Sequence, residues 1–212
     1  GGIDSAVTSA LAAKTKLRTI AVSMPIRQND NQHDLSLRHL DWLKKQFNNV
    51  ETKIINLNNI FLSFEKEMEN YANKLAFANS RSRLRMITLY QIAQSNRGLV
   101  VGTGNKVEDF GVGFFTKYGD GGVDISPIAD CTKTEIWEIG KELGIEEEII
   151  KAQPTDGLWD DGRTDEGQLG LSYKDLEEAM INPNSLNRSK YETIRKLNLH
   201  KMNAIPVCKI PK

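Results

Sequence analysis

Residues 1–14, GGIDSAVTSALAAK, join a glycine turn directly to an Ala-rich stretch of helical character. A glycine pair ahead of a helix lets backbone N–H groups converge on an anion, and the helix dipole favours negative charge at that end. A strand is expected to lead into such a turn, and the sequence shows none before Gly1. We therefore expect an anion-binding turn whose first strand is missing from this sequence.

Beyond the turn, strand-like apolar runs alternate with segments of helical spacing. The predicted strands are Thr19–Met24, Ile54–Leu57 and Leu99–Gly102, and the predicted helices include residues 34–47, 82–93, 132–143, 173–180 and 189–197. This alternation indicates βαβ units and a parallel sheet with ligands at the carboxyl ends of its strands. We predict a doubly wound α/β fold, with a mostly parallel sheet flanked by helices. Residues 1–212 are expected to form one domain with a helical C-terminal extension.

Composition excludes several classes of protein. The chain has 212 residues, with 28 Lys and Arg against 28 Asp and Glu, and this balance argues against nucleic-acid binding by bulk charge. Its two cysteines, Cys131 and Cys208, have neither metal-ligand spacing nor a disulfide framework, which favours a reducing compartment. No apolar run approaches the roughly 20 residues of a membrane span. We expect a cytoplasmic protein without nucleic-acid or membrane partners.

Several polar motifs have both a chemical and a purely structural interpretation. Asp4 and Ser5 suit Mg²⁺ held between protein and phosphate oxygens, but they are equally ordinary helix caps. Lys133, by its sequence context alone, is best interpreted as an exposed, solvated lysine at a helix start. The sequence Asp120-Gly121-Gly122 is a strong turn signal with or without a ligand. His33 and His39 lack a paired carboxylate or metal spacing, so we expect both at the surface.

A set of motifs along the whole chain resembles the ammonia-dependent NAD synthetase family of ATP pyrophosphatases, whose phosphate loop has the pattern S-G-G-x-D-S. The motifs occur in the order of that family: Gly1–Ser5, Arg83–Met86, Gly102-Thr103, Glu108, Gly113–Gly122, Asp124, Thr132-Lys133, Pro154-Thr155 and His200-Lys201. The string FFTKYGDGG at residues 114–122 is the most specific of them. The serine that the family has before the glycine pair is absent here, together with its strand.

The resemblance implies an enzyme that amidates deamido-NAD with ammonia and ATP, releasing AMP and pyrophosphate. Ammonia does not displace oxide from a carboxylate, so the carboxylate must first be adenylated. Metal and cationic groups would then stabilise the charge that develops on phosphorus. The resemblance also implies a homodimer with the substrate site at its interface.

The family's roles carry over to matching positions. The ATP-binding set is Gly1, Gly2, Ile3, Asp4, Ser5, Thr103, Lys133 and Thr155. Asp4 and Lys133 would be the catalytic residues, and Asp4 and Glu108 the ligands of Mg²⁺. The deamido-NAD set is Arg83, Lys117, Asp124, His200 and Lys201, where Arg83 would reach the substrate of a neighbouring subunit. As an isolated pair, His200-Lys201 is more typical of an exposed tail.

Two alternatives stay open. One is a different ATP pyrophosphatase, such as a GMP-synthetase-like amide ligase; a tRNA-thiolating enzyme would need cysteine pairs and a basic surface that the sequence lacks. The other is a non-catalytic nucleotide-binding module, which predicts loss of Asp4, Glu108 or Lys133. All three residues are present.

Overall fold

A computed structural model describes residues 2–28, 30–159 and 161–211. Two strands are assigned, β1 (Thr19–Ser23) and β2 (Val50–Ile54). The helices are α1 (Ile3–Lys14), α2 (Asp30–Gln46), α3 (Asn58–Glu67), α4 (Lys74–Ser95), α5 (Lys133–Glu142), α6 (Glu147–Lys151), α7 (Asp165–Leu169), α8 (Tyr173–Ile181) and α9 (Arg188–Met202). Glu69–Tyr71 forms a 3-10 turn and Glu108–Val112 a π-helical turn.

The two strands and the helix between them form a parallel βαβ unit, as predicted. β1 pairs with β2 in a register that sets Thr19 opposite Val50 and Ser23 opposite Ile54. The predicted strand at Ile54–Leu57 was therefore placed about four residues too late. Residues 55–57 have left the sheet, although Leu57 is buried with Ile26 and Phe61 in a small core cluster.

The third predicted strand, Leu99–Gly102, is reduced to one parallel bridge between Val101 and Ile125. Leu99 is 66% exposed, so this run is not the fully buried strand that its apolar residues predicted. β1 and residues 99–102 both line one cavity of about 1540 Å³ that also reaches Gly2 at the start of α1. Within the described residues the sheet is thus interrupted between β1 and Val101, beside the turn for which a leading strand was expected.

The core that fixes the start of α1 is formed with α5 and α6. Ile3, Val7, Ile128, Ile136 and Ile149 belong to one buried cluster. α1 and α5 approach closely at Gly140, where an added Cβ would lie 2.7 Å from Cδ1 of Ile3. This close approach holds the first turn of α1 against the helix that begins at Lys133.

Local capping explains where several helices begin. α5 starts in a capping box, in which Thr132 accepts from the Glu135 backbone N–H and the Glu135 side chain accepts from Thr132 N–H. Asn73 caps α4 by accepting from the N–H of Ala76, so the helix begins eight residues before the predicted start at Ser82. No helix among the described residues is long and apolar enough to cross a membrane.

Candidate active site

The first turn of α1 places Asp4 at the mouth of the cavity. Gly2 is the N-cap residue of α1 and no side chain caps the helix. The hydroxyl of Ser5 donates instead to the Gly2 carbonyl oxygen at 2.8 Å. The interpretation of Asp4 and Ser5 as plain helix caps is therefore wrong for this structure. Ile3 is buried, while Gly1, predicted to contact ATP, lies outside the described residues.

Lys133, the first residue of α5, is almost completely buried, with 1% of its side chain exposed. Its Nζ lies 2.6 Å from Oδ2 of Asp4 and 2.8 Å from Oε1 of Glu108. The alternative of a solvated lysine at a helix start is thus wrong. One ammonium group is shared by the two carboxylates that the resemblance assigned to a metal ion.

Asn105 connects these two carboxylates through the backbone of the segment that carries Glu108. Its side-chain Nδ2 donates to Oδ1 of Asp4 at 3.0 Å. Its Oδ1 accepts from the N–H groups of Val107 and Glu108 at 3.0 and 2.9 Å. Asn105 is fully buried, so it fixes the distance between the start of α1 and the π-helical turn.

Tyr173, the first residue of α8, completes the cluster from the opposite side. Its hydroxyl donates to Oε1 of Glu108 at 2.5 Å and lies 3.3 Å from Oδ2 of Asp165. The ring of Tyr173 faces the Lys133 ammonium, with Nζ 4.8 Å from the ring centroid. Oδ1 of Asp165 is buried and has no hydrogen-bond partner in the described part of the chain.

Burial and charge oppose each other in this cluster. Burial raises the pKa of Glu108, while Lys133 lowers it. Burial likewise lowers the pKa of Lys133, but the Glu108 and Asp4 carboxylates outweigh that effect and hold it above its ordinary value. The pKa of Asp165 is raised to about 7, mainly by burial and then by the charge of Glu108. The cluster therefore concentrates negative charge around one lysine.

The donor set is compatible with Mg²⁺. Asp4 and Glu108 are hard oxygen ligands that already converge on a single cation, the Lys133 ammonium. Mg²⁺ prefers one or two carboxylates, with water and phosphate oxygens filling its other positions. The described residues contain no group of three or more His, Cys, Asp or Glu side chains arranged to hold a metal by themselves. The pair thus fits an ion that is bound together with a phosphate ligand.

The other residues predicted to contact ATP line the same cavity as Asp4 and Glu108. Thr103 follows the Val101 bridge, and Thr155 lies on the segment before α7. The Thr155 hydroxyl accepts from Nε2 of Gln32 at 2.8 Å and from the Gly157 N–H at 3.2 Å. The structure therefore brings Gly2, Asp4, Ser5, Thr103 and Thr155 to one cavity.

A second group of predicted residues meets beside the FFTKYGDGG segment. Nζ of Lys117 donates to the His200 carbonyl oxygen at 2.8 Å, and Nζ of Lys201 donates to the Phe115 carbonyl oxygen at the same distance. Nε of Arg83 donates to the Lys117 carbonyl oxygen at 3.2 Å. α9 thus brings His200-Lys201 to the glycine-rich segment, and Lys201 is half-buried.

Asp124 has hydrogen-bond partners of its own. Its carboxylate accepts from the Tyr90 hydroxyl at 3.0 Å and from the Val100 N–H at 2.7 Å. The structure thus gives Asp124 a local role beside the Val101 bridge. Asn105 and Tyr173 were missed by sequence reasoning, since each is an ordinary loop or helix residue until its partners from distant parts of the chain are known.

Comparisons with known proteins identify the family of this chain. The family model described as NAD synthase matches residues 1–212. An NH(3)-dependent NAD(+) synthetase from Carboxydothermus hydrogenoformans is 39% identical over 85% of this chain and 74% of its own length. The enzyme of that name from Mesoplasma florum is also 39% identical, over 96% of this chain and 83% of its own.

Solved structures extend the likeness to the fold. An NMN synthetase from Francisella tularensis superimposes with a TM-score of 0.88 at 30% identity, covering 99% of this chain and 86% of that one. An NH3-dependent NAD synthetase from Campylobacter jejuni has a TM-score of 0.76 at 27% identity, covering 98% and 86%. With the buried Asp4–Lys133–Glu108 cluster, these matches establish that the chain belongs to the NAD synthase family.

Proposed function

We propose that this protein amidates deamido-NAD with ammonia, using ATP to adenylate the nicotinate carboxylate and releasing NAD, AMP and pyrophosphate. The observation that carries the proposal is the burial of Lys133 between Asp4 and Glu108, at the N-terminus of α1. Burying an ammonium between two largely buried carboxylates is costly for stability alone, so their presence together supports a functional role. The family match supplies the reaction class.

In this proposal the N-terminus of α1 binds the ATP phosphates. Backbone N–H groups of Gly1, Gly2 and Ile3, with the Ser5 hydroxyl, would hold the β- and γ-phosphates that leave as pyrophosphate. Thr103 and Thr155 would contact the rest of ATP from the same cavity. Asp4 and Glu108 would hold Mg²⁺, which supplies charge neutralisation at the phosphates when bound.

Lys133 must change partners for this chemistry. In the structure its three N–H donors face two carboxylates. With ATP and Mg²⁺ bound, Asp4 and Glu108 would hold the ion, and Lys133 would donate to the phosphate oxygens where charge develops during adenylation. Lys133 and Asp4 are thus the proposed catalytic residues.

The second group of residues would hold deamido-NAD. Arg83, Lys117 and Lys201 are cations that suit its phosphates and the nicotinate carboxylate. His200 lies at the same place through its bond to Lys117, and Asp124 would accept from ribose hydroxyls once released from Tyr90. Ammonia then attacks the activated carbonyl carbon, and AMP departs.

We also propose that the enzyme is a homodimer. α3 and α4 expose large apolar side chains: Ile60, Leu62, Phe64, Leu75 and Ile87 are all between 39% and 67% exposed. Arg83 lies on the same helix α4 and is also exposed, so an interface there would bring it to a neighbouring subunit. Sedimentation velocity of the wild type and of Ile87→Glu tests this arrangement.

The free thiols Cys131 and Cys208 support action in the reducing cytoplasm.

A second candidate function is favoured by one observation. The NMN synthetase from Francisella tularensis superimposes with a higher TM-score, 0.88, than the Campylobacter jejuni NAD synthetase at 0.76. The acceptor could then be nicotinate mononucleotide, whose amidation gives NMN. Its reacting carboxylate is the same, so the Asp4–Lys133–Glu108 chemistry would be unchanged.

The testing experiment is a coupled pyrophosphate assay with ATP, Mg²⁺ and ammonia. We expect release to require deamido-NAD and to be slower with glutamine as the nitrogen source. Nicotinate mononucleotide as the better acceptor would establish the second candidate. Equal release with xanthosine monophosphate would overturn both and favour a GMP-synthetase-like ligase, and ATP binding without turnover would indicate a non-catalytic module.

A further inference from the structure

Tyr173 lies in an apolar core cluster, where packing alone does not require a polar side chain. It is 1% exposed, and its ring packs edge-on against Trp137 with centroids 5.8 Å apart. Its apolar neighbours Val112, Leu169 and Leu176 belong to the same buried cluster. Yet its hydroxyl points out of this cluster to Oε1 of Glu108, at 2.5 Å. A phenol donating to a carboxylate makes a short, strong hydrogen bond.

Glu108 uses only one oxygen in this arrangement. Oε1 accepts from both Lys133 and Tyr173, whereas Oε2 accepts no hydrogen bond within the described residues and lies in a side chain that is 14% exposed. Glu108 also lines the cavity shared with Asp4. The two donors on Oε1 therefore fix the rotation of the carboxylate about its own axis.

On ligand binding, Lys133 and Tyr173 are expected to behave differently as donors to Glu108. The proposed function requires Lys133 to leave the carboxylates for the ATP phosphates. Tyr173 is held by packing at the start of α8, so it remains as the donor to Glu108. Asp165 in turn lies 3.3 Å from the Tyr173 hydroxyl through Oδ2, and its own position is fixed by N–H donation to the Pro154 carbonyl oxygen at 3.0 Å.

We propose that Tyr173 is a positioning residue that keeps Glu108 oriented for Mg²⁺ after Lys133 has turned to ATP. This inference rests on the proposed function and deepens it. Groups that orient metal ligands through hydrogen bonds typically matter by about 10–100-fold in metal affinity or activity. The N–H of Asp165 donates to the carbonyl oxygen of Pro154, which precedes Thr155, so Asp165 links the Thr155 segment to Tyr173.

Tyr191 offers a matched control in the same core. It belongs to the same buried cluster, is 5% exposed and also uses its hydroxyl, which donates to the Gly111 carbonyl oxygen at 3.3 Å. Tyr191→Phe therefore removes one buried hydroxyl without touching Glu108. A purely structural role of Tyr173 predicts similar behaviour of the two variants.

The experiment compares wild type, Tyr173→Phe, Tyr191→Phe and Asp165→Asn. Mn²⁺ binding is followed by electron paramagnetic resonance with ATP present and without any pyridine nucleotide, and the thermal midpoint checks folding. We expect Tyr173→Phe to weaken Mn²⁺ binding roughly tenfold and Tyr191→Phe to leave it unchanged. Asp165→Asn should not weaken it, because that change removes a second carboxylate acceptor and leaves the single Tyr173 proton to Glu108. In turnover, the KM for Mg²⁺ should rise in Tyr173→Phe, with kcat at saturating Mg²⁺ close to wild type.

Unchanged Mn²⁺ affinity in folded Tyr173→Phe would overturn the proposal, as would equal losses in Tyr173→Phe and Tyr191→Phe. If Tyr173→Phe does not fold, Asp165→Asn decides: it leaves the Tyr173 proton to Glu108, so weaker Mn²⁺ binding in that variant would overturn the proposal. Because the binding arm contains no pyridine nucleotide, its result is separate from the proposed function. That function fails instead if the wild type forms no amide product.

Discussion

The exchange of partners by Lys133 makes a prediction about stability that needs no substrate. Lys133→Met removes the ammonium but keeps a long unbranched side chain in the buried position. Asp4 and Glu108, with side chains 17% and 14% exposed, would then face each other without a counter-ion. Removing one partner of a buried ion pair costs about 3–5 kcal/mol, because the remaining charge is buried without compensation.

Mg²⁺ should reverse part of this loss. In the wild type Lys133 occupies the two carboxylates, so free Mg²⁺ without ATP should change the unfolding free energy little. In Lys133→Met the carboxylates are available to the ion, and binding to the native state alone raises stability by mass action. The variant should therefore become more stable in millimolar MgCl2, whereas the wild type should not.

Urea unfolding with and without MgCl2 measures both effects. Lys141→Met is the control, because Lys141 forms a surface pair with Glu138 at 56% and 70% exposure. A surface pair of this kind contributes between about 0 and 1 kcal/mol, with no Mg²⁺ dependence. The double variant Lys133→Met with Glu108→Gln should recover part of the loss, since only one buried carboxylate charge remains. Lys133→Met with wild-type stability, or with no response to Mg²⁺, would refute the reasoning.

Three further predictions follow from single contacts. His39 is buried and its pKa is lowered to about 4 from 6.5, mainly by burial. Unfolding therefore becomes easier as pH falls through that window, by at most about 3 kcal/mol, and His39→Gln should flatten the pH dependence of urea unfolding. Asn105→Ala should cost about 1–3 kcal/mol in unfolding free energy, because the N–H groups of Val107 and Glu108 lose their acceptor. A loss below about 0.5 kcal/mol would contradict this. Asp4→Asn should sharply lower turnover and shift its Mg²⁺ dependence, and unchanged activity across a Mg²⁺ titration would exclude Asp4 as a ligand.

Local sequence signals predicted the αβ alternation well, but not the ends of its elements. The β-branched run at Thr19 predicted β1, and helical spacing predicted α2. β2 was misplaced because Ile54 and Ile55 are more apolar than Val50–Lys53, whereas parallel pairing with β1 selects the latter. The sequence does contain a signal for the early start of α4, namely the N-cap residue Asn73. The apolar residues of the first turns of α4 are too irregularly spaced to reveal that start.

The candidate site was predicted mainly through the family resemblance. The resemblance assigned Asp4, Glu108 and Lys133 to one site, and in the structure the Lys133 ammonium contacts both carboxylates. Their catalytic and metal-binding roles stay predictions. Tyr173 and Asn105 act across 65 and 101 residues of sequence, and no local pattern marks such contacts. His39 was expected at the surface, but it stacks on Trp42 with ring centroids 5.5 Å apart and is buried. The assignment of residues 1–212 to one domain stays a prediction.

In the proposed reaction, ATP activates the substrate carboxylate by forming an acyl-adenylate. The most direct measurement uses deamido-NAD carrying a heavy oxygen isotope in the nicotinate carboxylate, with ATP, Mg²⁺ and ammonia, and mass spectrometry of all products. We predict that NAD retains one carboxylate oxygen and that AMP gains the other. Heavy oxygen in pyrophosphate or free phosphate, with none in AMP, would contradict it.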